Sequence, residues 1–132
     1  MWPGCCKRRW KKASVEFPGK LPASRHGAAA FGMTVLGTDP FLNDSSPPVG
    51  EYGVELTTLP DLLGRSDFVS LNTPLNGATK HIMNAETFPQ MKPTAYLINS
   101  ARGGLVDEAA LVSALAAGNL AGAALDVRES EP

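Results

Sequence analysis

Four short and almost continuous apolar runs recur along this chain, and their spacing constrains the fold more than any other feature. Each run is five to seven residues long and rich in aliphatic or β-branched side chains, which is typical of β-strands. The runs do not alternate between apolar and polar residues, as expected of parallel strands covered on both faces. They are residues 33–37 (MTVLG), 67–72 (DFVSLN), 95–99 (AYLIN) and 121–127 (AGAALDV).

Helical segments are predicted between these strands. The clearest covers residues 108–117, with Asp107 as its N-cap and Gly118 at its C-terminal end. A shorter helix is predicted over residues 59–64. Alternation of strands and helices at these spacings predicts an open parallel α/β sheet with right-handed crossovers.

A third helix is predicted over residues 85–91, with Asn84 as its N-cap. Pro89 weakens this prediction, because proline has no N–H and removes one helical hydrogen bond.

Charge is distributed unevenly along the 132 residues, which are enough for one domain. Residues 1–26 hold seven Lys or Arg and one Glu, whereas the rest of the chain holds five basic and twelve acidic side chains. We therefore predict a basic, disordered leader over residues 1–12 and one domain over residues 13–132. The leader is alternatively a nucleic-acid or membrane-surface arm, or a palmitoylation site at Cys5 or Cys6.

Several function classes are excluded by simple features. The net charge of −1 gives no whole-chain argument for binding nucleic acid or membranes. The two cysteines are adjacent, so no disulfide framework exists, and no apolar run reaches the roughly 18 residues of a membrane span. No signal peptide and no Gly-Lys-Ser/Thr phosphate loop are present. We expect a cytoplasmic protein.

Candidate binding residues follow the predicted strands. Asp39 comes just after residues 33–37, where an acid can bind the hydroxyls of a nucleotide ribose; the other interpretation is a turn-forming aspartate before Pro40. Arg102 follows residues 95–99, and its planar guanidinium suits a substrate carboxylate; otherwise it forms a surface salt bridge.

An acidic segment follows the last predicted strand. It contains Asp126, Glu129 and Glu131, at the carboxyl end of the strand where ligands of α/β proteins bind. An acidic loop after a strand is also common without a function.

Together these segments resemble the D-isomer-specific 2-hydroxyacid dehydrogenases, a family that also includes the C-terminal-binding-protein corepressors. The resemblance runs from about residue 28 to residue 132. It includes AFGMTVLGTDP, SDFVSLNTPLNGATKHIMN, MKPTAYLINSARGGLVDEAAL and GAALDVRESEP, in the family's order and spacing. It implies the NAD-binding domain, a Rossmann-like parallel sheet, of an enzyme that transfers hydride between NAD and a small 2-hydroxy or 2-keto acid.

The resemblance also implies roles for individual residues and no metal ion. Asp39 would bind the adenosine ribose and favour NAD over NADP. The other implied cofactor contacts are a loop along the cofactor (Asn72, Thr73, Pro74), two residues beside the nicotinamide (Ser100, Ala101) and the carboxamide partner Asp126.

The implied catalytic residues are Arg102 and Glu131. Arg102 would bind the substrate carboxylate and polarise the keto oxygen. Glu131 would pair with a catalytic histidine and keep it protonated as the acid for ketone reduction.

One departure from the family pattern concerns the glycine-rich loop that holds the cofactor diphosphate. By ungapped counting, the three fingerprint glycines fall on Glu16, Pro18 and Leu21. Glu16 adds a like charge, Pro18 lacks an N–H, and Leu21 adds a side chain where helix and strand approach closely. We therefore predict that the first strand, over residues 13–17, precedes a degraded loop.

A second departure concerns the catalytic histidine, which in the family lies beyond the position of Pro132. His26 and His81 do not match it, and we expect both to be solvent-facing structural residues. The expectation is a cofactor-domain fragment of a homodimeric enzyme that is inactive as this chain alone. The alternative is a non-catalytic, NAD-sensitive dimerisation module of the corepressor type.

Overall fold

The computed structural model describes residues 11–16, 28, 31–43, 45–46, 49 and 53–130. Within them, parallel strands form a six-stranded sheet in the order β3-β2-β1-β4-β5-β6. This order, which reverses direction at β1, is that of Rossmann-type sheets and confirms the predicted α/β class. The strands are β1 (Lys11–Glu16), β2 (Thr34–Thr38), β3 (Glu55–Leu56), β4 (Phe68–Asn72), β5 (Tyr96–Asn99) and β6 (Gly122–Leu125).

Strand β1 lies in the middle of the sheet and joins its two halves. Ala13 is paired with Leu36 on one side and with Val69 on the other. The strand begins at Lys11, so the predicted start at residue 13 is wrong by two residues. The physical reason is that backbone groups make the parallel ladder, and lysine carries these groups like any other residue. Residues 1–10, and Phe17 of the predicted strand, lie outside the described residues.

Two α-helices, α1 (Leu59–Arg65) and α2 (Glu108–Ala116), agree with the predicted ones to within one residue at each end. Asp107 caps α2, its Oδ1 accepting the N–H of Ala110 at 3.0 Å. Gly118 follows the C-terminal end of α2 with a φ of 72°, which only glycine adopts without strain.

The helix predicted over residues 85–91 is wrong. A turn and a short 3-10 helix, Phe88–Gln90, occupy this segment instead. Asn84 does act as a cap, its Oδ1 accepting the N–H groups of Glu86 at 2.8 Å and Thr87 at 3.2 Å. Pro89 cannot donate the hydrogen bond that would continue an α-helix, so the segment tightens into 3-10 geometry.

The larger of two hydrophobic clusters lies on the face of the sheet that carries Val69, Leu71 and Leu97. Phe88 and the inward residues of both helices pack against this face and are buried. A smaller cluster lies beside β2 and β3, with Ala28, Val35 and Val54 buried. In the described part of the chain, no helix is long and apolar enough to cross a membrane.

Candidate functional site

The predicted binding residues lie along one edge of the sheet, here called the carboxyl rim: residues 39, 72–74, 100–102 and 126, which end or follow β2, β4, β5 and β6. They share this edge because the carboxyl ends of parallel strands meet there, and ligands of open α/β sheets bind outside these ends. Glu131 lies outside the described residues.

Asp39 follows β2 and is only partly satisfied. Its Oδ1 accepts the backbone N–H of Phe41 at 2.7 Å, so the turn-forming interpretation holds for this oxygen. Its Oδ2 is buried and has no hydrogen-bond partner. A buried carboxylate oxygen without a donor is unfavourable, and a ribose hydroxyl is a donor that would satisfy it.

The loop after β4 is held by its own hydrogen bonds. Thr73 is buried. The carbonyl of the exposed Pro74 accepts a hydrogen bond from the Thr79 hydroxyl at 2.7 Å. The same hydroxyl accepts the N–H of Asn76 at 2.8 Å. Asn72, the last residue of β4, donates from Nδ2 to Ser70 Oγ at 3.2 Å. These hydrogen bonds therefore fix the backbone of this segment of the carboxyl rim.

The loop after β5 is positioned by Asn99, which is 1% exposed. Its Oδ1 accepts the N–H of Ala101 at 3.1 Å, and its Nδ2 donates to the carbonyl of Arg102 at 2.9 Å. The carbonyl of Asn99 also accepts the N–H of Asp126 at 2.9 Å. One buried amide thus fixes the backbone that presents Ser100, Ala101 and Arg102.

The Arg102 side chain is exposed, and its Nη1 donates to the carbonyl of Ala101 at 2.6 Å. Among the described residues, no carboxylate oxygen lies within ion-pair distance of its guanidinium. The surface salt bridge considered above is therefore not formed within this part of the chain. The remaining guanidinium donors are available to an anionic ligand.

Glycines 103 and 104 allow three loops of the carboxyl rim to pack together. A Cβ atom on Gly103 would lie 1.9 Å from the carbonyl oxygen of Arg128, in the loop after β6. A Cβ atom on Gly104 would lie 2.9 Å from a methyl group of Leu75, in the loop after β4. Position 103 requires glycine because the obstacle there is backbone, whereas at position 104 the exposed Leu75 side chain can move aside.

Glu108, in the first turn of α2, holds the loop after β6. Its carboxylate accepts Nε and Nη2 of Arg128 at 2.8 and 2.7 Å and the backbone N–H of Glu129 at 2.9 Å. The hydrogen bonds from Arg128, then that from Glu129, lower the pKa of Glu108 to about 2. The loop is therefore fixed to α2 by a charged, bidentate contact.

His81 lies in a turn, and its side chain is 34% exposed, which agrees in part with the predicted solvent-facing residue. Its Nε2 is 2.8 Å from Glu129 Oε1. The turn folds back onto the carboxyl rim, where the N–H of His81 donates to the carbonyl of Gly104 at 2.9 Å. His26 lies outside the described residues.

Sequence reasoning assigned no role to Asn99, Gly103 or Glu108. The signals were a polar residue ending an apolar run, a glycine pair directly after it, and an acid in the first turn of a helix. Their long-range partners, above all Arg128, are visible only in three dimensions. Within the described residues, no group of three potential metal ligands is present.

The comparison with protein families gives a match over residues 23–132 to the model for the D-isomer specific 2-hydroxyacid dehydrogenase, NAD binding domain. The chain belongs to this family. It is 48% identical over 105 residues to D-3-phosphoglycerate dehydrogenase of Bacillus subtilis and 43% identical over 115 residues to that of Synechocystis. These alignments cover 80% and 86% of this chain but 20% of each relative, so the chain spans about a fifth of their length.

Solved structures agree with this assignment. D-lactate dehydrogenase of Lactobacillus jensenii with NAD+ has a TM-score of 0.82 and 33% identity, over 91% of this chain and 35% of that one. A glyoxylate reductase from Paecilomyes thermophila has a TM-score of 0.79 and 37% identity, over 92% and 37%. The resemblance inferred from the sequence motifs is confirmed, and the family's cofactor is NAD.

The residues of the carboxyl rim fit NAD unevenly. At the adenosine end, the unpartnered Oδ2 of Asp39 fits a ribose hydroxyl. At the position of the diphosphate, strand β1 ends at Glu16, a residue type that does not fit an anionic group.

Proposed function

We propose that this chain is the cofactor-domain portion of an NAD-dependent oxidoreductase acting on a small D-2-hydroxy or 2-keto acid. One observation carries the proposal: within the described residues, a buried carboxylate oxygen of Asp39 without a hydrogen-bond partner and an exposed guanidinium of Arg102 without an ion-pair partner lie along the same carboxyl rim. The first matches the donor groups of a nucleotide ribose, and the second matches a substrate carboxylate.

Arg102 is the proposed catalytic residue within the described chain. Its planar fork binds the substrate carboxylate, and its positive charge stabilises the charge that develops on the keto oxygen. Asn99 acts as a positioning residue, because its side chain accepts the N–H of Ala101 and donates to the carbonyl of Arg102.

The cofactor contacts follow the strand order. Asp39 binds the adenosine ribose, and Asn72, Thr73 and Pro74 line the middle of the cofactor. Three further residues, Ser100, Ala101 and Asp126, lie at the nicotinamide end, where Asp126 binds the carboxamide. NAD supplies the hydride carrier when it is bound.

The proton required for ketone reduction has no donor of the expected type in the described residues. His81 is the one histidine among them, and its Nε2 is engaged by Glu129. The proposal assigns Glu131 as the partner of a histidine supplied by the complete enzyme. We therefore propose that the 132-residue chain alone does not oxidise NADH.

A chimera tests the proposal. Residues 31–130 replace the matching segment of the Bacillus subtilis relative, which keeps its own residues on both sides of that segment. We expect NADH-dependent reduction of phosphohydroxypyruvate, with kcat/KM at least about a hundredfold lower in the Arg102→Ala chimera, since roughly 3 kcal/mol of transition-state stabilisation is lost. The Arg102→Lys chimera, which keeps the charge but loses the fork, should fall between the two.

A folded chimera that binds NADH but shows no reduction, or an Arg102→Ala chimera as active as its parent, would contradict the proposal. The remaining parts of the proposal are a homodimer, no nucleic-acid or membrane partner, and a cytoplasmic location. Light scattering of the purified protein measures the oligomeric state.

A further inference from the structure

We propose that the nucleotide site of this chain binds an adenosine ribose but disfavours the diphosphate that follows it, so that adenosine binds the chain at least as tightly as NADH. This inference rests on the proposed function for the role of Asp39, and it adds a ligand preference that the family assignment does not give.

The strand order defines the path of a dinucleotide. The ribose-binding Asp39 follows β2, and the nicotinamide-end residues Ser100 and Ala101 follow β5. Two strands, β1 and β4, lie between them in the sheet. A ligand that reaches from one end to the other crosses about 14 Å, three strand spacings, and its central diphosphate lies over the ends of β1 and β4.

Glu16 occupies the critical position on this path. It is the last residue of β1 and is paired with Asn72, the last residue of β4. On the other side, Val15 is paired with Thr38, so the backbone of Glu16 is level with that of Asp39, about one strand spacing away. The residue at the end of β1, the strand end over which a diphosphate would lie, is therefore acidic.

A glutamate at the end of the first strand disfavours the binding of a diphosphate. Dinucleotide sites place small residues and free N–H groups at the end of the first strand, so that the backbone contacts the phosphate oxygens. A glutamate at neutral pH instead repels the two negative charges of a diphosphate. At a separation of about 6 Å in a solvated site, this repulsion lowers affinity by about tenfold.

By ungapped counting, the next two fingerprint glycines fall on Pro18 and Leu21, which lie outside the described residues. Pro18 has no N–H to give to a phosphate, and Leu21 carries a side chain where the fingerprint has glycine. The ribose end has no such obstacle, because the Oδ2 of Asp39 is buried without a donor. The site therefore retains its nucleoside half and has lost its anion-binding half.

Calorimetric titration of the full chain with adenosine, 2′,3′-dideoxyadenosine, ADP and NADH tests the inference. We expect adenosine to bind at least tenfold more tightly than the dideoxy compound, and ADP and NADH to bind no more tightly than adenosine. In the Glu16→Gln variant, the affinity of ADP relative to adenosine should rise by about fivefold to tenfold, and by less in 0.5 M salt, which screens the charge. Circular dichroism establishes that each variant is folded.

Glu86→Gln is the matched control, because Glu86 is an exposed glutamate in a turn away from the carboxyl rim, and it should leave the ratio unchanged. The inference is overturned if wild-type protein binds ADP or NADH at least tenfold more tightly than adenosine. It is also overturned if Glu16→Gln leaves the affinity of ADP relative to adenosine unchanged. Both outcomes leave the proposed function standing. Equal binding of adenosine and its dideoxy analogue, or no binding of either, overturns the role of Asp39 and the inference with it. The chimera carries the relative's own residues before residue 31 and does not contain Glu16, so its activity tests Arg102 independently.

Discussion

The two hydrophobic clusters differ in size among the described residues. Sixteen buried residues form the larger cluster, which packs both helices against β4, β5 and Leu36 of β2, and Arg102 and Asp126 lie in the half of the sheet that holds β5 and β6. Three buried residues form the smaller cluster beside β2 and β3, the half that carries Asp39. The comparison indicates that the Arg102 side of the carboxyl rim lies over the larger cluster, whereas on the Asp39 side β2 contributes Leu36 to that cluster and Val35 to the smaller one.

Removing the largest buried side chain tests whether the larger cluster dominates stability. Phe88 is fully buried, and we expect Phe88→Ala to lower the free energy of unfolding by about 3–5 kcal/mol. The matched control is Phe41→Ala on the β2 side, where the ring is 72% exposed, and its effect should stay within about 0.5 kcal/mol. Urea denaturation followed by circular dichroism measures both. Similar losses in the two variants would contradict the comparison.

The packed loops of the carboxyl rim provide a second test. Gly103→Ala places a Cβ against the carbonyl of Arg128, and we expect a loss of about 1–3 kcal/mol as the loops separate. Gly77→Ala is the control, because a Cβ there meets no atom within 4 Å. The melting temperature of Gly103→Ala should be clearly lower than that of Gly77→Ala. Equal values would show that the loop after β6 can move aside without loss of stability.

The same valine-to-alanine substitution, made once in each hydrophobic cluster, compares the two clusters directly. Val69→Ala, in the larger cluster, should cost about 2–3 kcal/mol, because its neighbours cannot close the cavity. Val54→Ala, in the smaller cluster, should cost about 1 kcal/mol, because Val54 is 6% exposed and Val69 is 0% exposed, so less apolar contact is lost. Denaturant midpoints measured side by side decide this, and a larger loss for Val54→Ala would reverse the comparison.

Lowering the pH is expected to give the smallest change in stability. The pKa of Glu108 is lowered from 4.5 to about 2 by its hydrogen bonds with Arg128 and Glu129. A carboxylate with a lowered pKa in the folded state contributes stability above its unfolded pKa, and this contribution is lost as the pH falls from about 4.5 to 2. Melting temperatures across this range should fall less steeply in Glu108→Gln than in the parent chain, whereas Glu86→Gln should follow the parent.

Much of the half of the sheet that holds β4, β5 and β6 could be predicted from the sequence, because short stretches of sequence are enough to identify its strands and the ends of α2. Continuous apolar runs predicted β4, β5 and β6, and the caps at Asp107 and Gly118 predicted the limits of α2. The position of residues along a parallel sheet then follows from strand direction alone, which is why Asp39 and Arg102 were expected at one edge.

The remaining features depend on contacts that no local pattern encodes. Strand β3 has two residues, too few for an apolar run to be recognised. The pairing of Lys11 and Lys12 comes from backbone bonds to the neighbouring strands, not from side-chain hydropathy. The contact of Glu108 with Arg128 joins residues twenty positions apart in the chain.

The close approach of Gly103 to the backbone of Arg128 has a consequence for how this family's sequences can change. The loop that presents Arg102 and the loop that begins at Asp126 share one steric boundary, so neither can lengthen or gain bulk without displacing the other. Across relatives, we therefore expect residues 102–104 and 126–129 to substitute together, and a new substrate preference to require coordinated changes in both segments.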